Sequence, residues 1–214
     1  MRRLAWPGRE APTDDGRWIV LDVETSGLDP TRARLLAIAG LSVRRPGAGE
    51  LRLDLGDSFE VVLRQDDAPL DKANILLHGI GVGAQRAGMD RSEALDAFAA
   101  WVGRSPLLAF HAAFDETMIR RALKAAGRPP LRNAWADLAP VAEVLRPDVR
   151  ARSLDEWLAH FGIEVAARHQ AAADTLATAE LLQCLWPQVC AQHPEAGFQA
   201  LRELAHQRRW LGAS

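Results

Sequence analysis

Hydrophobic residues change their spacing partway along this chain of 214 residues. Up to residue 64 they form strand-like segments at 17–23, 35–44 and 51–64, separated by turn-forming residues. From residue 92 onward most of them follow the 3.6-residue period of helices, apart from a short apolar run at 106–110. This order predicts an antiparallel three-stranded meander, then helices around a further buried strand, which is a mixed α/β architecture.

The helical part divides into several segments with recognisable ends. Helices are predicted at 92–102, 114–126, 138–145, 154–161 and 171–185. Ser92 is the expected N-cap of the first, and the last is expected to stop before Pro187. We therefore predict three parts of the chain: a flexible N-terminal lead-in at 1–16, one domain at 17–190, and a helical extension at 191–214 that packs on the domain.

Composition places the chain among globular proteins, with 48% hydrophobic and 25% charged residues. No apolar run approaches the length of a membrane span, and no apolar segment follows the basic start of the sequence. A cytoplasmic protein without a membrane partner is expected. The net charge of −2 provides no global basic field for a nucleic acid, so any such partner has to be held by local arginines.

Two acids follow the first apolar strand directly, in the stretch "WIVLDVETSGLDP". Asp22 and Glu24 are two residues apart, so a strand projects both side chains from one face. Two carboxylates this close repel each other unless a cation lies between them. A strand end returning to water explains the pair equally well. Gly27 in the following turn allows the backbone to approach a ligand.

Two later segments carry similar chemistry. Asp115 lies in the first turn of the helix after the strand at 106–110, where the helix dipole also favours an acid. His169 and Asp174 are five residues apart around the start of an alanine-rich helix, and a lone histidine there also fits a capping or surface role. Together, four carboxylates suit two Mg²⁺ or Mn²⁺ ions, and the histidine supplies a base that titrates near neutrality.

The order of these segments resembles the DEDDh family of 3′→5′ exonucleases, which includes the proofreading epsilon subunit of DNA polymerase III and RNase T. The similarity runs over 18–185 and rests on "DVETSGLDP", "FHAAFD" and "RHQAAAD". Between them, "LLHGIG" and "ADLAPVAEVLRP" are similar to two further family segments, and Asp137 matches an acid in the second. Many relatives have His-Asn where this chain has Phe110-His111.

The resemblance implies a ribonuclease H-like fold, in which helices flank a mixed sheet made of the antiparallel meander and parallel strands. It implies that two Mg²⁺ or Mn²⁺ ions are held by four acids, Asp22, Glu24, Asp115 and Asp174. His169 is implied as the general base. The substrate-binding residues implied by it are Thr25, Ser26, Gly27, Leu28, His78, His111 and Phe114.

The function implied is hydrolysis of single-stranded nucleic acid, DNA in preference to RNA, from the 3′ end to nucleoside 5′-monophosphates. An RNA-trimming enzyme with the same site is an alternative, because this chemistry does not involve the 2′-hydroxyl. A second alternative is an accessory subunit that binds a DNA polymerase or a repair protein. Intact acids and an intact histidine favour an active enzyme over an inactive module.

Overall fold

The computed structural model describes most of the chain, and the predicted lead-in lies outside the described residues apart from residue 16. The described ranges are 16–47, 49–66, 72–165, 168–193 and 195–211, the last four residues by their backbone only. None of the helices in these ranges is long and apolar enough to cross a membrane.

Five strands form one sheet. They are β1 (Arg17–Thr25), β2 (Leu35–Arg44), β3 (Arg52–Val62), β4 (Leu107–Ala109) and β5 (Trp135–Asp137). The order across the sheet is β3-β2-β1-β4-β5. The first three strands pair antiparallel, β4 pairs parallel with β1, and β5 pairs parallel with β4. The predicted meander and the mixed α/β architecture are confirmed.

Eight helices surround this sheet in the described part of the chain. They are α1 (Lys72–His78), α2 (Val82–Ala87), α3 (Arg91–Val102), α4 (Ala112–Ala125), α5 (Leu138–Leu145), α6 (Leu154–Phe161), α7 (Ala171–Gln192) and α8 (Phe198–Leu211). Asp90, not Ser92, caps α3, because its Oδ1 accepts the backbone N–H groups of Ser92 (2.9 Å) and Glu93 (3.4 Å). A carboxylate one residue before the helix reaches these amides, whereas Ser92 already lies within the helix.

The prediction that the alanine-rich helix stops before Pro187 is wrong, because α7 continues through this proline to Gln192. Proline cannot donate the helical hydrogen bond and normally breaks a helix. Here Trp186 and Val189, on either side of the proline, are buried in the core. Tertiary packing of this face outweighs the missing hydrogen bond.

Strand β1 is covered on both faces, so it is the centre of the fold. Ile19 belongs to a core layer under α3 and α4, while Trp18 and Val20 belong to a second layer under α7 and α8. Side chains alternate along a strand, so Asp22 and Glu24 continue the row that begins with Trp18 and Val20. The two acids therefore emerge on the α7 side of the sheet.

Helix α8 contributes to the second core layer. The ring of Phe198 contacts Trp18 edge-on at 5.7 Å between centroids, and Trp18 contacts Trp186 of α7 at 5.4 Å. Leu201 and Leu204 of α8 are fully buried. The last helix is thus packed directly against the central strand, and the division proposed between residues 190 and 191 falls within α7.

This packing predicts that α8 supports the stability of the whole domain. Leu201→Ala removes a fully buried side chain and is expected to lower the free energy of unfolding by about 2–5 kcal/mol. Glu203→Ala changes an exposed residue of the same helix and should stay within about 0.5 kcal/mol of the parent. Urea denaturation measures both. Equal stability of the two variants would mean that α8 unfolds independently of the sheet.

Candidate active site

Three carboxylates converge where β1 ends. Ligand oxygens of Asp22, Glu24 and Asp174 all lie within 4.8 Å of one another. The first two come from the α7 side of β1, and Asp174 lies in the first turn of α7. The pairing of β1 with β2 shifts register between Glu24 and Thr25, so the strand becomes irregular directly after the acid pair. The strand and the helix thus aim their carboxylates at one space.

The fourth predicted acid borders this group without belonging to it. Asp115 lies in the first turn of α4 and is buried. Its carboxyl accepts a hydrogen bond from the backbone of Val23, the residue between Asp22 and Glu24. The structure therefore places all four acids around the end of β1, with three of them in direct proximity.

Burial raises the pKa values of three of these acids, and repulsion between like charges adds to the rise for Asp22 and Asp115. The pKa of Asp22 lies well above its usual range because of burial first, and then because of the charges of Asp115 and Glu24. Burial raises the pKa of Glu24 from 4.5 to about 7, and burial is also the main cause that raises the pKa of Asp115. The site is short of positive charge, which a divalent cation would supply.

One protein cation partly offsets the negative charge. The guanidinium of Arg168 forms ion pairs with Asp174 and with Asp155 of α6. Its charge opposes the rise in the pKa values of Asp22 and Glu24. Arg168 directly precedes His169 in "RHQAAAD", but the motif gives no indication of these ion pairs.

His169 lies at the rim of the carboxylate group. Its backbone has a left-handed conformation (φ 61°), and its N–H donates to Oδ2 of Asp174 at 3.1 Å. The side chain is exposed, and the histidine does not belong to the three-carboxylate group. The neighbouring Gln170 lies beside Gly79 of the "HGI" segment, so this segment borders the third motif.

A second left-handed histidine precedes α4. His111 (φ 66°) donates its backbone N–H to Oδ1 of Asp137 at 3.0 Å, and the same oxygen accepts the N–H of Ala139 at 3.1 Å. Asp137 therefore caps α5 and holds the turn that leads to Asp115, a function that its match to a family acid did not reveal. Histidine and asparagine are both enriched in left-handed conformations, so replacing the family's asparagine preserves the backbone requirement here.

The turn after Glu24 is held by local hydrogen bonds. Thr25 donates its hydroxyl to the carbonyl of Gly27 at 2.8 Å, and Ser26 exchanges two hydrogen bonds with the backbone of Arg34 at 2.9 and 3.0 Å. A side chain placed at Gly27 would meet nothing within 4 Å, so this backbone faces open space. Leu28 is 88% exposed, so its apolar side chain is accessible to a ligand.

Two other predicted substrate contacts are less accessible. His78 is buried at the end of α1, where its Nδ1 accepts the N–H of Ile80 at 2.9 Å and its Nε2 lies 2.5 Å from Oδ1 of Asn74. Both ring nitrogens therefore have partners within their own segment. Phe114 is half-buried and packs against the core layer under α3 and α4.

Comparison with known sequences points to one family. The RNase_T model, described as exonuclease, matches residues 19–182. DNA polymerase III PolC-type of Clostridium perfringens is 30% identical over 181 residues, which cover 82% of this chain and 12% of that protein. The PolC-type polymerase of Listeria innocua is 28% identical over 178 residues, 83% of this chain and 12% of that protein. The chain thus spans a small part of these relatives' length.

Solved structures share the fold. E. coli exonuclease I in complex with a dT13 oligonucleotide aligns with a TM-score of 0.70 and 20% identity over 84% of this chain and 42% of that chain. Cell-death related nuclease 4 aligns with a TM-score of 0.66 and 14% identity over 82% of this chain and 64% of that chain. The ribonuclease H-like fold implied by the sequence motifs is confirmed.

The raised pKa of Glu24 predicts how the metal-free protein responds to pH. Between 4.5 and about 7 the folded state holds a proton at Glu24 that the unfolded state has released. The free energy of unfolding should therefore fall as pH rises through this window. Glu24→Gln removes this contribution and should make the fall shallower, as measured by urea denaturation in chelator across the window.

The exposed carboxyl of Glu203 provides the control for this measurement. Glu203→Gln should follow the parent's pH dependence. Identical slopes for Glu24→Gln and the parent would show that crowding of the acids does not affect stability.

Proposed function

Because the chain belongs to the RNase_T family of exonucleases, we propose that it is a metal-dependent 3′→5′ exonuclease of the DEDDh type. It would hydrolyse single-stranded nucleic acid, DNA in preference to RNA, to nucleoside 5′-monophosphates. The observation that carries this proposal is the convergence of Asp22, Glu24 and Asp174 within 4.8 Å at the end of the central strand. The match to the exonuclease family and this carboxylate cluster are separate observations, and both support the proposed function.

The donor set suits two Mg²⁺ or Mn²⁺ ions. All the candidate ligands are carboxylate oxygens, which hard divalent cations prefer. Burial raises the pKa values of Asp22, Glu24 and Asp115, and a bound cation would stabilise their ionised forms. We propose Asp22, Glu24, Asp115 and Asp174 as the ligands. When bound, the ions would supply positive charge that stabilises the developing charge on the phosphoryl oxygens.

His169 is proposed as the general base that takes a proton from the attacking water. Its backbone is tied to Asp174, and its exposed imidazole has solvent access beside the acids. An imidazole suits this role because it accepts a proton near neutral pH. Arg168 is bonded to Asp155 and Asp174, which fixes the segment that carries His169.

The turn at residues 25–28 is the proposed site for the terminal nucleotide. Its backbone faces open space at Gly27, and Leu28 offers an exposed apolar side chain for a base or sugar. His111, exposed at the start of α4, and the half-buried Phe114 are proposed as further contacts. His78 would act indirectly, by holding the turn to Gly79, because its ring is buried and engaged.

The relatives support a DNA substrate. The PolC-type proteins are DNA polymerases by name, and structures of exonuclease I contain dA16 and dT13 oligonucleotides. By the same similarity, a DNA polymerase or repair protein remains the proposed partner, and a nucleoside monophosphate is the proposed product. Trimming of RNA is the alternative that a direct comparison of matched DNA and RNA strands would distinguish.

The first test determines from which end the strand is shortened and whether the reaction requires a metal ion. A single strand labelled at its 5′ end should shorten stepwise from the 3′ end in Mg²⁺, and excess chelator should stop the reaction. Asp22→Asn should slow it by at least ~10²-fold, because a carboxylate that holds the cations is removed. Asp148→Asn, which changes an exposed acid paired with Arg146, is the matched control and should keep the parent rate.

Closed circular single strands should resist cleavage, because they have no terminus to enter the turn at residues 25–28. Cutting of the circle, or full activity in chelator, would contradict the proposal. Gel separation of the products of DNA and RNA strands reports polarity and preference together.

The second test concerns the base. His169→Ala should reduce the rate by ~10²- to 10⁴-fold with little change in stability, because the exposed side chain contributes little packing. The parent's rate should rise with pH as the imidazole loses its proton and then level off, and the variant should lack this rise. His206→Ala removes an exposed histidine of α8 as the control. If the His169→Ala variant reacts at a rate near the parent's, His169 is not the general base and only a capping role remains for it.

A further inference from the structure

A second cleft lies outside the carboxylate site, between the start of β2, the end of β3 and helices α3 and α4. Its volume is about 680 Å³. Four of its lining side chains are cationic, and none of the described residues that line it is acidic. We call it the arginine cleft and define it by its cations, Arg34, Arg91, Arg121 and Lys124.

Two of the three arginines of this cleft, Arg91 and Arg121, are positioned by neutral groups. Arg91 donates to the carbonyl of Arg64 and to Oε1 of Gln65, both at 2.9 Å. Arg121 donates to the carbonyls of Ala33 at 3.1 Å and Thr31 at 2.8 Å. Neutral acceptors fix the guanidinium groups in place without cancelling their charge.

The adjoining Arg64 shows the contrast. It lines the neighbouring cleft together with Arg34 and Arg91, and its guanidinium pairs with Asp90 at 3.0 Å and Asp66 at 3.5 Å. Within the described ranges, no carboxylate lies at ion-pair distance from Arg34 or Arg91. Asp66 and Asp90 therefore form ion pairs with Arg64, whereas no ion pair offsets the charges of Arg34 and Arg91 in the described part of the chain.

Arg34 and Arg91 line both this cleft and the neighbouring one. The pKa of Arg34 is lowered by burial and by the charge of Arg91. Holding two like charges together is unfavourable unless an anion binds between them. Guanidinium groups bind phosphate oxygens in a bidentate manner, so a phosphate group satisfies this arrangement best. Ala122 and Ala125, which also line the cleft and are not buried, offer apolar contact to a sugar or base.

The arginine cleft is linked to the proposed nucleotide turn through the backbone. Arg34 exchanges two hydrogen bonds with Ser26, two residues after Glu24. The acids emerge on the α7 side of the sheet and the cleft lies on the α3 and α4 side, so a strand whose 3′ end occupies the turn reaches the cleft by passing the start of β2. We propose that the arginine cleft binds the phosphate backbone of the substrate strand outside the catalytic site, an inference that rests on the proposed nuclease function.

Binding of a labelled single-stranded DNA in chelator tests this proposal, because no hydrolysis occurs during the measurement. Arg34→Gln/Arg91→Gln should weaken binding by about 10-fold. It should also reduce the slope of log K against log salt by about 0.7 for each phosphate that the cleft no longer neutralises. Arg34→Lys retains the charge and should retain the slope. Arg44→Gln, at a cation paired with Asp54 and Asp57, should bind like the parent.

Hydrolysis of a short phosphodiester, thymidine 5′-monophosphate p-nitrophenyl ester, separates this inference from the proposed function. The double variant should hydrolyse it at the parent's rate, because so small a substrate does not extend into the arginine cleft. Parent-like binding and salt slope in the double variant would overturn the inference while leaving the nuclease function intact. A parent protein that cleaves neither substrate in Mg²⁺ would instead contradict the proposed function, and the binding result would still decide the inference.

Arg34→Gln alone decides the case if the double variant does not fold. In the described part of the chain the Arg34 side chain makes no hydrogen bond or ion pair, so we expect this change to leave the fold intact. A melting temperature equal to the parent's confirms this. An unchanged salt slope in the folded single variant would then overturn the inference.

Discussion

Carboxylates repel one another most strongly where water cannot screen them, and this chain places four of them around the end of its central strand. Repulsion of this kind separates the groups unless the surrounding structure holds them. Here β1 is packed on both faces, and α4 and α7 are each anchored by buried side chains along their length. The extensive core therefore supports a site that lowers stability locally, which is typical of functional sites.

The two helices that deliver Asp115 and Asp174 each have a left-handed histidine near their start. His111 is the N-cap of α4, and His169 precedes Gln170, the N-cap of α7. The left-handed residue turns the chain sharply, so the first turn of each helix meets the end of β1. The N-terminal end of a helix carries partial positive charge, which eases the presence of an acid there. Backbone geometry thus compensates part of the repulsion at two separate positions.

Local sequence patterns were sufficient to predict the meander and the pairing of Asp22 with Glu24, because both follow directly from the two-residue period of a strand. The convergence of Asp174 with this pair was predictable only from the order of the motifs. The ion pair of Arg168 with Asp155 and the hydrogen bond from His111 to Asp137 were not predictable, because contacts between distant segments leave no periodic signal. The passage of α7 through Pro187 was missed for a related reason, since burial in the second core layer overrides the local preference.

The order of the strands also has a consequence for folding. Strands β1, β2 and β3 are consecutive in sequence and adjacent in the sheet, so their hairpins close over short loops. Strand β4 and helix α7 reach β1 from far along the chain, and such distant contacts form slowly. We expect the acids of β1 to be in place before Asp115 and Asp174 arrive. The repulsion that Asp115 and Asp174 add therefore arises only in the last steps of folding. A cation that needs the complete ligand set would bind the native state alone and slow its unfolding.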